Sequence, residues 1–529
     1  MRDLNERLKL HQYVGLLVLI AGLLIILYLT LRPFTFQFHP FTISNYIAGY
    51  DILPSSFADF PHNILLFTPF GFGMAAVLNH SGCSGRCIRI TVLSSGFLLT
   101  LSVESLQHFI NGRQPSVADL IANTLGALAG LACFHLWQNR KMTADWIREF
   151  LRVPRRALVG LAIYVLLLLL LALGLSFATD PYNWNENYMM MLGNERTGDR
   201  QWLGSVQNLV ILNRALKGAE ARRLLTNPAE SALMIDEGLL AYYPLTGYSI
   251  EPDLTGNQPD LIWQSADKIE TEKGVVKFDR ESWLETESPV KDLTERLQEA
   301  SGISVRLSVA TAQLEQKGPA RILSISEDPH LRNLTFGQEG KDLVVRYRSI
   351  LTGRNGTQPQ IVFPDFFVNS EPIDLLITFN GLTMDLINSR LENNQSIELV
   401  PGVAFYYGFM HIFLGDEFSD DQAPAVAIND WTYRLLFYSF VLLPFGIFLS
   451  LRSITTWPWK YRLILVILSL LVVPVLLEIA FVYGRGLGLR TLNIGVSVLV
   501  IVLIAWVFIP IIRWFLGRLE TVKQQRSIS

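Results

Sequence analysis

The sequence predicts an α-helical polytopic membrane protein: eight helices in a parallel four-plus-four repeat, with an all-β sandwich inserted after the fifth helix. Three observations carry this expectation. Half of the 529 residues are hydrophobic and only 17% are charged, a balance foreign to soluble enzymes. Eight stretches reach or approach the roughly 20 apolar residues that span a bilayer. Between the fifth and sixth, the pattern changes to short alternating runs broken by Gly, Asn and Asp turns.

The apolar stretches lie at about 12–31, 60–79, 90–110, 116–137, 157–177, 432–451, 462–484 and 491–514. The first is too long for a cleaved signal peptide, and its exit LTLRPFTF lacks a small-residue cleavage site. With a cytoplasmic N-terminus, the inner segments collect 18 Lys and Arg, against four in the short outer loops: Arg32, Arg113, Arg485 and Arg490. The long segment is left out of this comparison, because long loops translocate regardless of charge. The bias predicts cytoplasmic termini and an extracytoplasmic segment over 178–430. The expected divisions are a four-helix domain over 1–140, a linker and fifth helix over 141–177, the sandwich over 178–430, three helices over 431–516, and a cytoplasmic tail over 517–529. All three cysteines precede residue 140, on or near the reducing side. Cys83 and Cys87, with His80 nearby, are too few ligands for a metal site and read as free thiols. The net charge of −3, without a basic stripe, argues against nucleic-acid binding.

The membrane segments repeat. LLFTPFGF (65–72) matches VLLPFGIF (441–448), and Glu104 is followed 15 residues later by Asp119 as Glu478 is by Asn493. Gly112 corresponds to Gly486, and Asn123 to Ser497. An even number of helices per copy makes the repeat parallel. The second copy is degenerate: His62 and Asn63 map to Phe437 and Tyr438, Gln107 to Phe481, and Arg113 to Leu487. A working site is therefore expected in the first copy.

There, Asp59, His62 and Asn63 share one face at the start of the second helix, spaced i, i+3, i+4. Glu104 and Gln107 share one near the end of the third, and Asp119 and Asn123 share one on the fourth. Gly126 and Gly130 continue that last face as a small-xxx-small pattern suited to close helix approach. Alternating topology puts the whole set, with Arg113 in the connecting loop, at one depth near the outer interface. Two readings stand: a packing network that fixes the helices, or a ligand pocket in which Arg113 meets an anionic headgroup or a peptide carboxylate. Glu104 and Asp119 are the weak catalytic candidates, as general bases. No H-E-x-x-H or G-x-S-x-G motif accompanies them. A transporter is a further alternative from the parallel repeat, opposed by the scarcity of polar residues in the inner halves of these helices.

HNILLFTPFGFG followed by SVESLQHFINGRQPSVADLIANTLGALAG resembles the VanZ-like membrane family. The resemblance rests on N-x-x-x-F-x-P-x-G at Asn63, Phe67, Pro69 and Gly71, E-x-x-Q at Glu104 and Gln107, a loop Arg at Arg113, and D-x-x-x-N-x-x-G at Asp119, Asn123 and Gly126. It covers about residues 10–140, with a degenerate second copy at about 430–515. The family's named member is associated with resistance to the glycopeptide teicoplanin. The resemblance therefore implies an envelope role, with membrane lipids and a peptidoglycan precursor or other envelope glycan as partners.

In the inserted segment, SGISVRLSVATAQ, ARILSIS, KDLVVRYRSI and IDLLITFNG read as strands of a jelly-roll or sandwich. LLAYYPLTG, VVKFDRESWLET and WLGSVQNLVILNRALKGAEARRLL resemble laminin-G/concanavalin-A-like domains, which implies a lectin-like module for a glycan or an extracytoplasmic protein. The element at 202–225 that normally closes such a domain precedes its opening at 239, an order expected of a circular permutation, and 406–420 reads as an edge strand. The acidic turns LGNERTGDRQW (192–202) and LGDEFSDDQ (414–422) offer Glu195, Asp199, Asp416 and Asp420 as weak Ca²⁺ ligands, or as solvated turns. No other cofactor is indicated. Trp184, Trp202, Trp263 and Trp283 suit either sugar stacking or the core.

Overall fold

Long runs of Leu, Ile, Val, Ala and Phe leave the helix as the way to satisfy backbone amides away from water. The computed structural model describes residues 2–32, 34–37, 59–110, 115–139, 153–233, 237–264, 274–390, 394–410, 430–451 and 457–528. Among them, seven helices are long and apolar enough to cross a membrane, and a bent pair makes an eighth when counted as one span. The chain divides into two compact units, Met1–Val153 and Pro154–Ser529.

The first unit holds α1 (Arg2–Leu31), α2 (Asp59–His80), α3 (Gly85–Gln107) and α4 (Val117–Gln138). Its core gathers Ile26, Phe67, Phe70, Val92, Val103, Leu131 and Phe134. α2 and α4 meet backbone to backbone. A Cβ on Gly71 would lie 2.0 Å from the Ala127 carbonyl oxygen, and one on Gly130 would lie 2.1 Å from that of Thr68. The close approach expected from Gly126 and Gly130 is thus present, and its partner is α2. On the other side of α2, Gly73 admits the Leu19 backbone of α1, whose nitrogen would stand 2.5 Å from an added Cβ.

The second unit opens with α5 (Pro154–Phe177) and continues, among the described residues, into fifteen strands. These are β1 (Met189–Leu192), β2 (Gly204–Leu212), β3 (Leu239–Tyr243), β4 (Ile250–Glu251), β5 (Leu261–Gln264), β6 (Val276–Phe278), β7 (Trp283–Thr286) and β8 (Ile303–Thr311), then β9 (Ala320–Ser326), β10 (Arg332–Glu339), β11 (Asp342–Tyr347), β12 (Ile361–Phe363), β13 (Ile373–Phe379), β14 (Thr383–Asn388) and β15 (Gln395–Glu398). They form two sandwich-like antiparallel sheets. One is ordered β12-β11-β10-β9-β1-β7-β5-β4; the other is β15-β14-β13-β8-β2-β3, with β6 also on β2. β2 pairs with both β3 and β8, the pairing a permuted order requires. The helix α6 (Gly218–Thr226) lays Ala221, Leu224 and Leu225 on Val210, Leu212, Tyr242 and Leu376 of the second sheet. Two further short helices, α7 (Pro228–Leu233) and α8 (Lys291–Gln298), complete this region.

The edge strand expected at 406–420 is not a strand in its described part. Leu399–Phe409 is a short apolar helix, α9, and residues 411–420 lie outside the described residues. The reason is packing. Phe405 and Phe409 are spaced i, i+4 with rings 5.3 Å apart, and Phe405 also faces Phe437 and Phe440 of α10 (Asp430–Val441). Gly402 lets α9 touch the Arg434 backbone, whose nitrogen would lie 2.3 Å from an added Cβ.

α10 and α11 (Leu443–Leu451) are bent by 50° from one another, just before Pro444, which has no amide to continue the helix ladder. α12 (Trp459–Val482) widens into a π-turn at Leu468–Val472 ahead of Pro474, and α13 (Thr491–Ile528) ends the described chain. Several apolar helices and separate antiparallel sheets are therefore both present.

Candidate functional site

In the first unit, a chain of hydrogen bonds ties three helix ends together. Asn63, one turn into α2, donates through Nδ2 to Asp119 Oδ1 at 2.7 Å. The Asp119 amide donates to Ser116 Oγ at 3.0 Å, so Ser116 caps α4 from an extended backbone. The Ser116 amide in turn donates to Glu104 Oε2 at 3.1 Å. Deeper, Asn123 Nδ2 donates to Thr100 Oγ1 at 2.8 Å, again joining α4 to α3. Gln107 Nε2 reaches the Thr30 carbonyl of α1 at 3.0 Å.

Glu104, Gln107 and Asn123 are buried, while Asp59, His62, Asn63 and Asp119 are half-buried. Asp59 is close enough to Asp119 for the two carboxylates to repel. The structure thus links Asn63, Asp119 and Glu104 through Ser116 at the end where α1 and α3 finish and α2 and α4 begin, with the separate Asn123–Thr100 bond one turn further along. Arg113 lies outside the described residues. Sequence reasoning missed Ser116, Thr100 and Thr30. Ser116 had a local signal, since Ser116-x-x-Asp119 ahead of an apolar run is a capping pattern.

The second half, α5 with α10 to α13, was expected to have lost most of its polar set. It has instead a different one. Glu478, 2% exposed, accepts the Arg490 amide at 3.1 Å and the Arg490 Nε at 2.5 Å. Arg490 Nη1 continues to Glu398 Oε1 at 2.6 Å and to the Val400 carbonyl at 2.8 Å. Asn493 Nδ2 donates to the same Glu398 oxygen at 2.9 Å, and Arg434 pairs with Glu398 and with Asp430. Glu398 ends β15, so the sheet region places its own carboxylate between Arg434 of α10 and Arg490, the residue before α13.

A second tie joins Arg485 to Asp180, with the Ser176 carbonyl beneath the guanidinium and Gly381 of the β13–β14 turn against it. Burial pushes the Asp180 carboxyl above its usual range, and Arg485 opposes that.

The suggested calcium ligands do not assemble. Glu195 is fully buried, neither an open ligand nor a solvated turn. Its Oε2 accepts from Arg321 Nε at 3.1 Å and Ser324 Oγ at 3.2 Å, and Ser326 donates to its other oxygen. Asp199 is exposed beside Thr197 and Arg200, and Asp416 and Asp420 lie outside the described residues. Among the described residues, no group of three or more His, Cys, Asp or Glu could hold a metal ion. Trp184 and Trp202 are buried, donating to the Arg348 carbonyl and to Gln338, while Trp263 and Trp283 are half-buried.

Residues 16–138 match the model of the VanZ/LLP1 family. The match spans less than half the chain, and it contains the whole first-unit polar set. No curated protein and no solved structure matches the chain significantly. With its multiple apolar helices and this match, the chain fits a multi-pass membrane protein of the cell envelope.

Proposed function

We propose that the first half binds the polar group of an envelope lipid or peptidoglycan-related molecule at the outer leaflet, through Asp59, His62, Asn63, Glu104, Gln107, Arg113, Asp119 and Asn123. The observation that carries this reading is the Asn63–Asp119–Ser116–Glu104 chain. It gathers two carboxylates at a helix-bundle end, where charge inside a membrane protein is costly and tends to mark a functional site. In this reading the chain lies in a bacterial plasma membrane with both termini cytoplasmic and the sandwich outside, and it modulates the envelope, including its response to glycopeptide antibiotics.

The sandwich, in a jelly-roll arrangement like that of lectins, contributes binding to an extracytoplasmic glycan or protein. The helices form two parallel copies of four. What supports the repeat is a set of paired bonds. Ser116 to Glu104 has its counterpart in Arg490 to Glu478, both amide to carboxylate. The contact between Gln107 and the Thr30 carbonyl has one in Ser176 and the Phe481 carbonyl. Gly71 against Ala127 corresponds to Gly446 against Ile501. In the second copy Glu398 occupies the corresponding place, which favours the first as the ligand-binding one.

The test is an envelope phenotype, such as glycopeptide susceptibility of a deletion strain complemented with Glu104→Gln, Arg113→Ala or Asp119→Asn at matched protein level. Loss in all three supports the pocket. Full function in all three makes the network packing alone and removes the proposal.

A further inference from the structure

Fully buried arginines in the sandwich are, with one exception, supplied with acceptors. Arg306 donates to Asp374 at 2.6 Å and to the carbonyls of Asn208 and Leu225, and among the described residues only its Nε meets no partner. Arg321 donates to Glu195 and to the Pro319 carbonyl. Arg332, at the start of β10, is 1% exposed, and among the described residues its Nε and Nη1 meet no hydrogen-bond partner. A charge taken out of water without a partner is strongly unfavourable, so the site is incomplete as it stands.

Its surroundings say what is missing. Strand register sets Ser326 opposite Arg332, and in a neighbouring row Ser324 opposite Thr335 and Thr335 opposite Arg346. The hydroxyls of Ser324, Ser326 and Thr335 bond one another and Glu195, so they and that carboxylate are already engaged. The cations acting on Arg332 are Arg321, Arg346 and Arg200, with Glu195 opposing them; burial first, then these guanidiniums, pull its pKa down to about 8. A planar fork with free N–H groups among further guanidiniums is the arrangement that takes a carboxylate or phosphate in paired hydrogen bonds.

We propose that Arg332, with Arg321 and Arg346 beside it, is an oxyanion site inside the sandwich that receives a carboxylate or phosphate group. The proposal rests on the reading of the sandwich as a binding module and names the chemistry of its ligand. The oxyanion supplies the acceptors that Arg332 lacks, and the buried positive charge then becomes a source of affinity.

The test uses the full chain in detergent, with inorganic phosphate and acetate titrated separately at constant ionic strength against chloride. The readout is hydrogen–deuterium exchange over residues 320–347. One probe should protect this segment saturably, and Arg332→Met should bind it about tenfold more weakly or worse, as expected for a lost charge-assisted bond. Phosphate as the effective probe points to a phosphorylated ligand, and acetate to an acidic one. Arg332→Met removes an unpartnered buried charge and is expected to stay folded. Arg332→Lys, which keeps the charge but loses the fork, should bind measurably more weakly. Equal responses in the parent and Arg332→Met mean an adventitious ion only. That result, no saturable response to either probe, or unchanged binding in Arg332→Lys overturns the site.

A neutral-glycan array run in parallel separates the two levels. Neutral-glycan capture equal in parent and Arg332→Met, with no saturable oxyanion response, keeps the module and removes the oxyanion site. Arg332-dependent anion binding with no glycan captured does the reverse.

Discussion

Glu104 accepts the Ser116 amide and Glu478 accepts the Arg490 amide, each from twelve residues further along the chain and each at 3.1 Å. Beyond that shared bond the two halves part. In the first, the next polar groups are Asp119 and Asn63, with Asp59 nearby. In the second, they are Arg490, Arg434 and Asn493, closed around Glu398. On the proposed repeat, Arg434 stands where the first half has Asp59, and Asn493 where it has Asp119. Among the described residues, carboxylates and amides therefore lead the first set, and arginines the second. The second is satisfied internally by the chain's own carboxylate, which ties the sheet region to the helices. On the proposed repeat, the second copy carries a joint where the first carries its candidate site.

The largest expected effect falls on that joint. Glu398→Gln leaves Arg434 and Arg490 without their shared partner and should cost about 3–5 kcal/mol of stability, as for other broken buried pairs. Denaturant unfolding of the purified protein in detergent measures it. Adding Arg434→Gln should recover part of the loss, because one of the two cations facing the lost carboxylate goes with it. A neutral Glu398→Gln would break the comparison.

Next comes helix packing. Gly130→Ala drives a Cβ to 2.1 Å from the Thr68 carbonyl oxygen, where backbone must move, and should cost about 1–3 kcal/mol. Gly446→Ala meets the Ile504 side chain, at 2.4 Å from Cγ2 and 2.5 Å from Cβ, and should cost less because the facing carbonyl oxygen, of Ile501, stands further off at 3.1 Å. Thermal unfolding of the two variants side by side checks the order, and equal losses would argue against a tighter first half.

The smallest effect is expected from Asn123→Ala, which removes the bond to Thr100 and should cost about 1 kcal/mol. The same unfolding assay reads it, and a loss of several kcal/mol would make Asn123 part of a larger structural network.

How much of this was legible in the sequence follows from which forces are local. The spans were legible because apolar length is a local property, though α1 begins at Arg2, ten residues ahead of its apolar run. Gly126 and Gly130 announced a close helix approach, since small residues have that consequence wherever a helix packs. The bend between α10 and α11 was not legible: Pro69 sits at the equivalent place inside an unbroken α2, whose glycines are braced by α4. The α9 helix was misread as a strand because its aromatic run fits either period, and only Phe437 and Phe440 decide it. Glu398 carried no signal at all. Its importance arises from the register of β15 and from arginines 36 and 92 residues away in the sequence.

The central claim is that the polar set of the first half binds a ligand, whereas that of the second is tied to Glu398. Native mass spectrometry of the purified chain, comparing Asp119→Asn and Glu104→Gln with Glu478→Gln at matched folded yield, tests it most directly. The account predicts that a co-purifying envelope lipid or lipid-linked molecule is lost from the two first-half variants and kept by Glu478→Gln. Equal retention in all three, or equal loss, would contradict it.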